Sequence, residues 1–264
     1  PDVDGDGVAD FAIGSPNEAP SGFVRAHSGR DGSVLFTWAG ATPNASFGAA
    51  LAVVHDIDGG GLPDLMIGAP DTTWSHTSQG AAYVYSLESG ARWVQIFGGG
   101  TNARMGHAVA NVGDVDGDGV DDFAAGEPGA DFSTLVDNGA VWTISGATLE
   151  YIGVLRGLSA GEQFGFSLSA WADVDLDGDD DFLVGAPFNS DAGQGGGRVY
   201  AVSGGSYSLW WTFSGGYAGE HFGMSVLGLG DTDGDGVVEF AVGAPDHSQG
   251  APNRGRVGWF EGFS

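Results

Sequence analysis

Aspartate recurs at alternate positions in five short stretches of this sequence, and each stretch leads into an apolar run. The third stretch, DVDGDGVDDF (114–123), places five carboxylates in ten residues. Alternate side chains of a tight loop point inward, and calcium binds about six to eight oxygens at about 2.3–2.6 Å. Glycine stands at the sixth position of every stretch and permits a sharp reversal. The spacing therefore predicts up to five calcium sites.

The expected ligands are the acidic side chains at loop positions 1, 3, 5 and 9 and the backbone carbonyl at position 7. The side chains are Asp2, Asp4, Asp6 and Asp10; Asp56, Asp58 and Asp64; Asp114, Asp116, Asp118 and Asp122; Asp173, Asp175, Asp177 and Asp181; and Asp231, Asp233, Asp235 and Glu239. The carbonyls are those of Val8, Leu62, Val120, Asp179 and Val237. Because the second loop has Gly60 at position 5, we expect water in that gap and the weakest of the five sites there.

Two other kinds of loop contain acidic residues in this way. A helix–loop–helix calcium sensor carries a bidentate Glu at position 12, but here that position is apolar in all five copies: Ile13, Ile67, Ala125, Val184 and Val242. Acidic turns also occur simply because Asp and Gly favour turns. Five copies with the same alternation favour calcium over solvated turns.

Composition excludes several classes of partner. The formal net charge is −27, with 35 acidic residues against eight basic ones, so nucleic acid and anionic membrane surfaces are disfavoured. The chain has no Cys, hence no disulfide framework or thiol nucleophile. No apolar run reaches the length needed to cross a bilayer, and we expect no membrane insertion. At 42% hydrophobic residues the chain can bury a core.

The acidic stretches mark a repeat. They begin at Asp2, Asp56, Asp114, Asp173 and Asp231, and an apolar residue followed by Gly precedes each of the last four. Each unit contains four short runs typical of strands, and none shows a sustained helical period. A period of this size with four antiparallel strands predicts an all-β fold, a β-propeller, over a sandwich. The units are about 1–46, 47–104, 105–163, 164–221 and 222–264, within a single domain spanning 1–264.

The order Phe-Gly, then D-x-D-x-D-G-x-x-D, then Gly-Ala-Pro resembles the FG-GAP repeat over the whole chain. This repeat forms the blades of the integrin α-subunit propeller and of many bacterial secreted or surface proteins. The resemblance implies calcium in the loop between the first and second strands of a blade. It also implies ligand contact on the opposite rim, formed by the second-to-third and fourth-to-first loops.

The strand count predicts an incomplete ring. The first unit supplies the last three strands of a blade and the fifth unit the first three, which is too many for one shared blade and too few for two. We therefore expect three complete blades between two incomplete ones, with sequence missing at both ends or supplied by another chain.

Aromatic residues and acids outside the metal loops complete the candidates. Trp74, Phe132 and Phe188 lie in polar loops on the expected ligand rim, where they could contact a protein or carbohydrate or pack under their own loops. Six tryptophans in strand patterns are expected mostly to pack between blades: Trp38, Trp93, Trp142, Trp210, Trp211 and Trp259. Glu162 and Glu220 occupy matching loops, which indicates repeat similarity and not a catalytic dyad.

Three functions remain open at this point. The first is a non-catalytic, calcium-stabilised binding or adhesion propeller, extracellular and either secreted or on a cell surface. The second is an accessory propeller of a secreted enzyme acting on polysaccharide or lipid. The third is a structural repeat that self-associates through open blade edges into a fibre or envelope layer.

Overall fold

In the computed structural model, residues 1–191, 193–248 and 254–262 are described, and they form five antiparallel sheets and no helix. The first sheet has three strands, β1 (Phe11–Ser15), β2 (Phe23–His27) and β3 (Val34–Ala39). The second has four, β4 (Ala50–Val54), β5 (Asp64–Ala69), β6 (Ala81–Tyr85) and β7 (Arg92–Phe97). Each sheet follows the chain in simple meander order.

The remaining sheets repeat this arrangement. The third comprises β8 (Val109–Gly113), β9 (Asp122–Glu127), β10 (Ala140–Ile144) and β11 (Tyr151–Arg156). The fourth comprises β12 (Ser167–Ala170), β13 (Phe182–Ala186), β14 (Arg198–Ser203) and β15 (Ser208–Ser214). In the fifth, the described residues form β16 (Ser225–Gly230), β17 (Glu239–Ala244) and β18 (Arg256–Glu261). The predicted five-bladed arrangement with three-stranded first and last blades is confirmed.

The core lies between the blades. Four apolar clusters alternate with the five sheets, and each cluster takes side chains from two neighbouring blades. Every residue of β5, β9 and β13 is buried, as expected of strands covered on both faces. The innermost strands of successive blades, β4, β8, β12 and β16, lie next to one another in chain order. This arrangement is that of a propeller.

The Gly-Ala-Pro motif of one blade contacts the Phe-Gly motif of the next blade. The Gly48 carbonyl lies against Gly14 of the preceding blade, where a Cβ would come within 2.1 Å of that oxygen. In the same way, a Cβ on Gly68 would lie 2.0 Å from the Gly106 carbonyl oxygen, and a Cβ on Gly126 would lie 2.0 Å from the Gly165 carbonyl oxygen. Only glycine leaves room for a neighbouring main chain at this distance. The apolar residue of each Phe-Gly motif is buried in the core. These residues are Phe47, Met105, Phe164 and Phe222.

The first and last blades each expose an apolar face. Phe11 and Ile13 of β1 are each 48% exposed, whereas Leu65 and Ile67, which hold the same register in β5, are buried. At the other end Val257 and Trp259 of β18 are 75% and 61% exposed. Their counterparts Val199 and Ala201 in β14 are covered by the fifth blade.

Candidate metal centres and the loop rim

All five acidic loops close by the same hydrogen bond. The carboxylate at position 1 accepts the backbone N–H of the glycine at position 6, over 2.7–3.1 Å. These glycines have φ between +86° and +104°, a left-handed conformation in which other residues are strained. They are Gly7, Gly61, Gly119, Gly178 and Gly236. The left-handed backbone conformation therefore explains why glycine occupies position 6 in every copy.

The position 9 carboxylate reaches back beneath the loop from the start of the second strand. One of its oxygens accepts the N–H of position 2 in every copy, over 2.6–3.0 Å. Asp64, Asp122, Asp181 and Glu239 are fully buried there. Burial raises the pKa of Asp64, Asp122 and Asp181 to about 6, because a desolvated carboxylate is costly without a counter-charge.

Asp10 of the first loop differs from its counterparts because it is less buried. The N–H of Gly29 donates to Asp10 Oδ1 over 2.8 Å and is the main cause of a lowered pKa for this carboxyl. In the third and fourth loops the equivalent oxygens accept from Gly146 and Gly204 over 2.9 and 3.1 Å. Three of the five position 9 carboxylates are thus hydrogen-bonded through both oxygens.

The other two position 9 carboxylates each retain a buried oxygen without a partner. Asp64 Oδ1 and Glu239 Oε1 accept no hydrogen bond from any described residue. The blade of Asp64 has Leu87 where the first, third and fourth blades have Gly29, Gly146 and Gly204. A buried anionic oxygen without a donor is costly, and a bound cation would satisfy it.

Within each loop the structure brings acidic oxygens together. Oxygens lie within 4.8 Å of one another in five groups: Asp2, Asp4 and Asp6; Asp56, Asp58 and Asp64; Asp114, Asp116 and Asp122; Asp173, Asp175 and Asp181; and Asp231, Asp233, Asp235 and Glu239. Asp10, Asp118 and Asp177 lie outside the groups that meet this distance. The donors in these groups are carboxylates alone, which suits a hard cation such as calcium and not zinc.

Four of the five position 7 residues donate their N–H groups to a carboxylate of their own loop. Val8, Val120, Asp179 and Val237 donate to the Asp at position 5 of their own loops over 2.8–3.1 Å. Leu62 lacks that partner because position 5 of its loop is Gly60. Cation binding by the five carbonyls stays a prediction.

Several side chains that the loop pattern does not include also reach the acidic loops, and two of these side chains are charged residues of the turn between the third and fourth strands. Those two occupy matching positions in that turn. In the first blade the Arg30 Nε lies 2.9 Å from Asp6 Oδ2. In the second blade the Glu88 carboxylate lies beside Gly60. Aligning these turns across the repeats, in addition to the loops, would have identified both residues.

Buried carboxylates on the opposite rim are structural. Glu162 accepts hydrogen bonds from the Tyr200 hydroxyl at 2.7 Å and Asn189 Nδ2 at 2.6 Å, and from backbone N–H groups of its own loop. Glu220 is bonded to its own loop in the same way and lies 2.5 Å from His247 Nδ1. The two acids hold equivalent places in separate blades.

The three rim aromatics differ in exposure. Trp74 is 70% exposed and stacks on Phe97 with ring centroids 5.7 Å apart. Phe132 is half-buried under the Arg156 guanidinium, 4.4 Å away, and Phe188 is half-buried against Phe166 and His221. Only Trp74 of the three therefore offers a largely open ring.

A polar cavity of about 490 Å³ opens on the same rim between the first two blades. Asn17, Asn44 and Asp71 contribute to its wall. Thr73 and Ser78, from the loop that carries Trp74, also line it.

The expectation that the strand tryptophans mostly pack between blades holds for only part of the set. Trp38 is buried, and Trp142 and Trp210 are half-buried. Trp93, Trp211 and Trp259 are 54%, 47% and 61% exposed. Trp93 and Trp211 lie on the fourth, outermost strands of their blades, and Trp259 lies on the outer face of the last blade.

Among the described residues, no helix of membrane-spanning length and hydropathy occurs.

The chain is 32% identical to integrin alpha-V of Gallus gallus over 201 residues, which are 70% of this chain and 19% of the relative. It is 34% identical to integrin alpha-5 of Xenopus laevis over 199 residues, or 69% and 18% of the two chains. The chain thus spans about a fifth of the length of these relatives.

Solved propeller structures share the fold. The crystal structure of Saccharomyces cerevisiae Sqt1 matches with a TM-score of 0.58 at 11% identity, covering 96% of this chain and 55% of that one. The Dos1 propeller matches with a TM-score of 0.50 at 14% identity, covering 85% and 47%. The family described as FG-GAP repeat matches residues 2–34, 47–85, 105–144 and 164–202. These matches cover more than half of the sequence, and the chain belongs to the FG-GAP repeat family.

Proposed function

We propose that this chain is a calcium-stabilised, non-catalytic binding propeller that works outside the cell, secreted or on a cell surface. The observation that carries the calcium assignment is the fully buried carboxylate oxygen of Asp64, which has no donor among the described residues and belongs to an all-carboxylate cluster. Extracellular calcium is abundant enough to fill even sites with dissociation constants near about 10⁻⁴–10⁻³ M. Calcium here would join the first and second strands of a blade.

The binding role rests on the rim opposite the acidic loops. Trp74 presents an open ring on a loop whose Thr73 and Ser78 line the polar cavity, and aromatic groups with nearby polar groups suit protein or carbohydrate ligands. The relatives named integrin alpha support a protein ligand. Because the acids are concentrated in the loops on the other side, we assign no catalytic residue.

Calcium binding and its effect on stability test the proposal together. Titration calorimetry on metal-free protein should give binding of several calcium ions, and the melting temperature should fall when a chelator removes them. Magnesium at the same concentration is the control, because its smaller octahedral shell suits these loops poorly. A chain that binds no calcium, or melts identically with and without it, would refute the assignment.

Ligand binding has its own test. The protein is screened against glycans and extracellular-matrix proteins, and every hit is repeated with Trp74→Ser. The matched control is Trp259→Ser, which removes an equally exposed indole from the last blade. We expect binding to fall at least tenfold in the first variant alone. Equal binding by both variants would remove Trp74 from the ligand surface.

A second candidate function, assembly through the open blades, is favoured by the unpaired edges. Among the described residues, β1 and β18 each pair with one strand, whereas their counterparts in complete blades are paired on both sides. Sedimentation analysis over a range of concentrations tests this function. Assembly predicts oligomers that dissociate on changing Trp259 to a charged residue, and a monomer at all concentrations contradicts it.

A further inference from the structure

The second acidic loop lacks a carboxylate at position 5, and a side chain from elsewhere fills its place. Position 5 is Asp6, Asp118, Asp177 and Asp235 in the other loops and Gly60 here. A Cβ built on Gly60 would lie 2.0 Å from Glu88 Oε2 and 2.8 Å from Asp58 Oδ1. The Glu88 carboxylate therefore stands where the missing aspartate would begin, within reach of Asp58.

The carboxylate cluster of the second loop, beside which Glu88 lies, shows a separate sign of a cation. Asp64 is fully buried, and its Oδ1 has no hydrogen-bond donor in the part of the chain that the structure describes. Oxygens of Asp56, Asp58 and Asp64 lie within 4.8 Å of one another. A cation among these carboxylates would stabilise an unpartnered anionic oxygen that is buried beside two more of them.

The position of Glu88 faces the loop in other blades too. In the first blade this turn position is Arg30, whose Nε lies 2.9 Å from Asp6 Oδ2. In the fourth it is Gly205, where a Cβ would lie 2.9 Å from Asp177 Oδ2. The third blade has Ala147 there. Of these four blades, only the second has an acidic residue at this turn position, and only the second has no aspartate at loop position 5.

We propose that Glu88 is a ligand of the second calcium site, so that Asp56, Asp58, Asp64 and Glu88 form its cage. This inference rests on the proposed calcium binding and adds a residue from outside the loop motif. The second cage then has as many carboxylates as a complete loop. Its affinity should match theirs, since calcium affinity follows the number of charged ligands. The second site was expected to be the weakest because water would fill the gap at position 5. In the present proposal the Glu88 carboxylate takes the place of that water.

The test removes the carboxylate and compares the variant with a matched one. Calcium affinities are measured by titration calorimetry, and bound ions are counted by native mass spectrometry at limiting calcium, for the wild type, Glu88→Ala and Glu150→Ala. Glu150 is an exposed acid in the corresponding turn of the third blade. We expect Glu88→Ala to weaken one site at least tenfold and to lose one ion at limiting calcium. Glu150→Ala should leave all sites unchanged.

A rescue variant separates ligation from an indirect effect on folding. Gly60→Asp combined with Glu88→Ala returns the carboxylate to the loop, and Gly60 has no left-handed φ that would oppose the change. We expect this double variant to regain the lost site and to melt like Glu88→Ala in calcium-free buffer. Loss in the single variant without recovery in the double one would overturn the ligand assignment.

Two further outcomes distinguish this inference from the proposed function. If Glu88→Ala and Glu150→Ala bind calcium equally, Glu88 is not a ligand while calcium binding stands. If the wild type binds no calcium, the proposed function fails first and this inference fails with it.

Discussion

Glu162 ties together three segments that are distant in sequence. Its carboxylate has no exposed surface and accepts from Tyr200 in β14, from Asn189 in the loop after β13 and from its own loop. A buried charge is tolerated when its oxygens are saturated with donors in this way. The next blade repeats the arrangement with Glu220. At the scale of single residues, these two acids stabilise the fold on the rim side.

Glu162→Ala should therefore lower the free energy of unfolding by about 3 kcal/mol, because the Tyr200 hydroxyl and the Asn189 amide lose their acceptor. Urea denaturation in saturating calcium measures the loss. Glu150→Ala, which removes an exposed acid, should change stability by less than about 0.5 kcal/mol. Equal losses in the two variants would show that the buried contacts of Glu162 do not stabilise the native state.

His107 gives the molecule a pH dependence near neutrality. Burial, and secondarily the nearby Arg104, lowers its pKa below the ordinary value of 6.5, and the ring packs on Phe166 with centroids 4.3 Å apart. The unfolded chain then takes up a proton that the folded chain resists, so stability falls as the pH drops below about 6.5. One such group changes the free energy of unfolding by at most about 1.4 kcal/mol per pH unit.

The measurement compares wild type with His107→Gln at pH 7.5 and 5.5. Buried loop carboxylates also titrate in this range, so only the difference between the two proteins reports His107. We expect the variant to lose less stability on acidification than the wild type. Parallel pH profiles would mean that His107 protonates equally easily in both states.

At the scale of elements, the turn between the third and fourth strands supports the acidic loop beneath it. The Gly146 N–H donates to Asp122 Oδ1 over 2.9 Å, and a Cβ on Gly146 would lie 2.1 Å from the Asp121 carbonyl oxygen. In the second blade the same turn has Leu87, and there Asp64 loses its second donor. The turn and the loop therefore form one unit, although more than 20 residues separate Asp122 from Gly146.

Gly146→Ala should lower the free energy of unfolding by about 2 kcal/mol, because the added methyl group displaces the loop main chain. Gly100→Ala is the control, since a Cβ there meets no atom within 4 Å. Thermal denaturation of both variants measures the difference. Similar melting temperatures would indicate that the third loop moves away from the turn without cost.

Sequence reasoning succeeded where a signal repeats and failed where a contact depends on tertiary packing. The period and the alternating acids predicted the five sheets and the position of each loop. Glu88 could not be found from the loop, because its side chain reaches Gly60 from a separate turn. The exposure of Trp93 and Trp211 was also hidden, since alternation along a strand does not reveal how far neighbouring blades cover its outermost strand.

At the scale of the whole molecule, charge repulsion acts against the fold. The formal net charge is −27, and much of it is concentrated in loops where carboxylate oxygens lie within 4.8 Å of one another. Bound calcium would neutralise those clusters, and dissolved salt would only screen them. The Debye length falls from about 10 Å at 0.1 M to about 3 Å at 1 M. Salt should therefore matter most when calcium is absent.

We expect the melting temperature of the chelated protein to rise by several degrees when sodium chloride is increased from about 0.05 to about 0.5 M. The rise should be clearly smaller with calcium bound. Differential scanning calorimetry of four samples, with and without calcium at both salt concentrations, gives the comparison. An equal salt response in both calcium states would show that the loops are not the main source of repulsion.

The contact between the Gly14 main chain and the Gly48 carbonyl, repeated along the chain, also constrains geometry. Because a main-chain carbonyl meets a glycine there, these contacts set how closely neighbouring blades approach at that point. Whole repeats exchanged at these glycines should keep the same pitch. A larger residue at Gly14, Gly68 or Gly126 would push the two adjacent blades apart and change the angle between them.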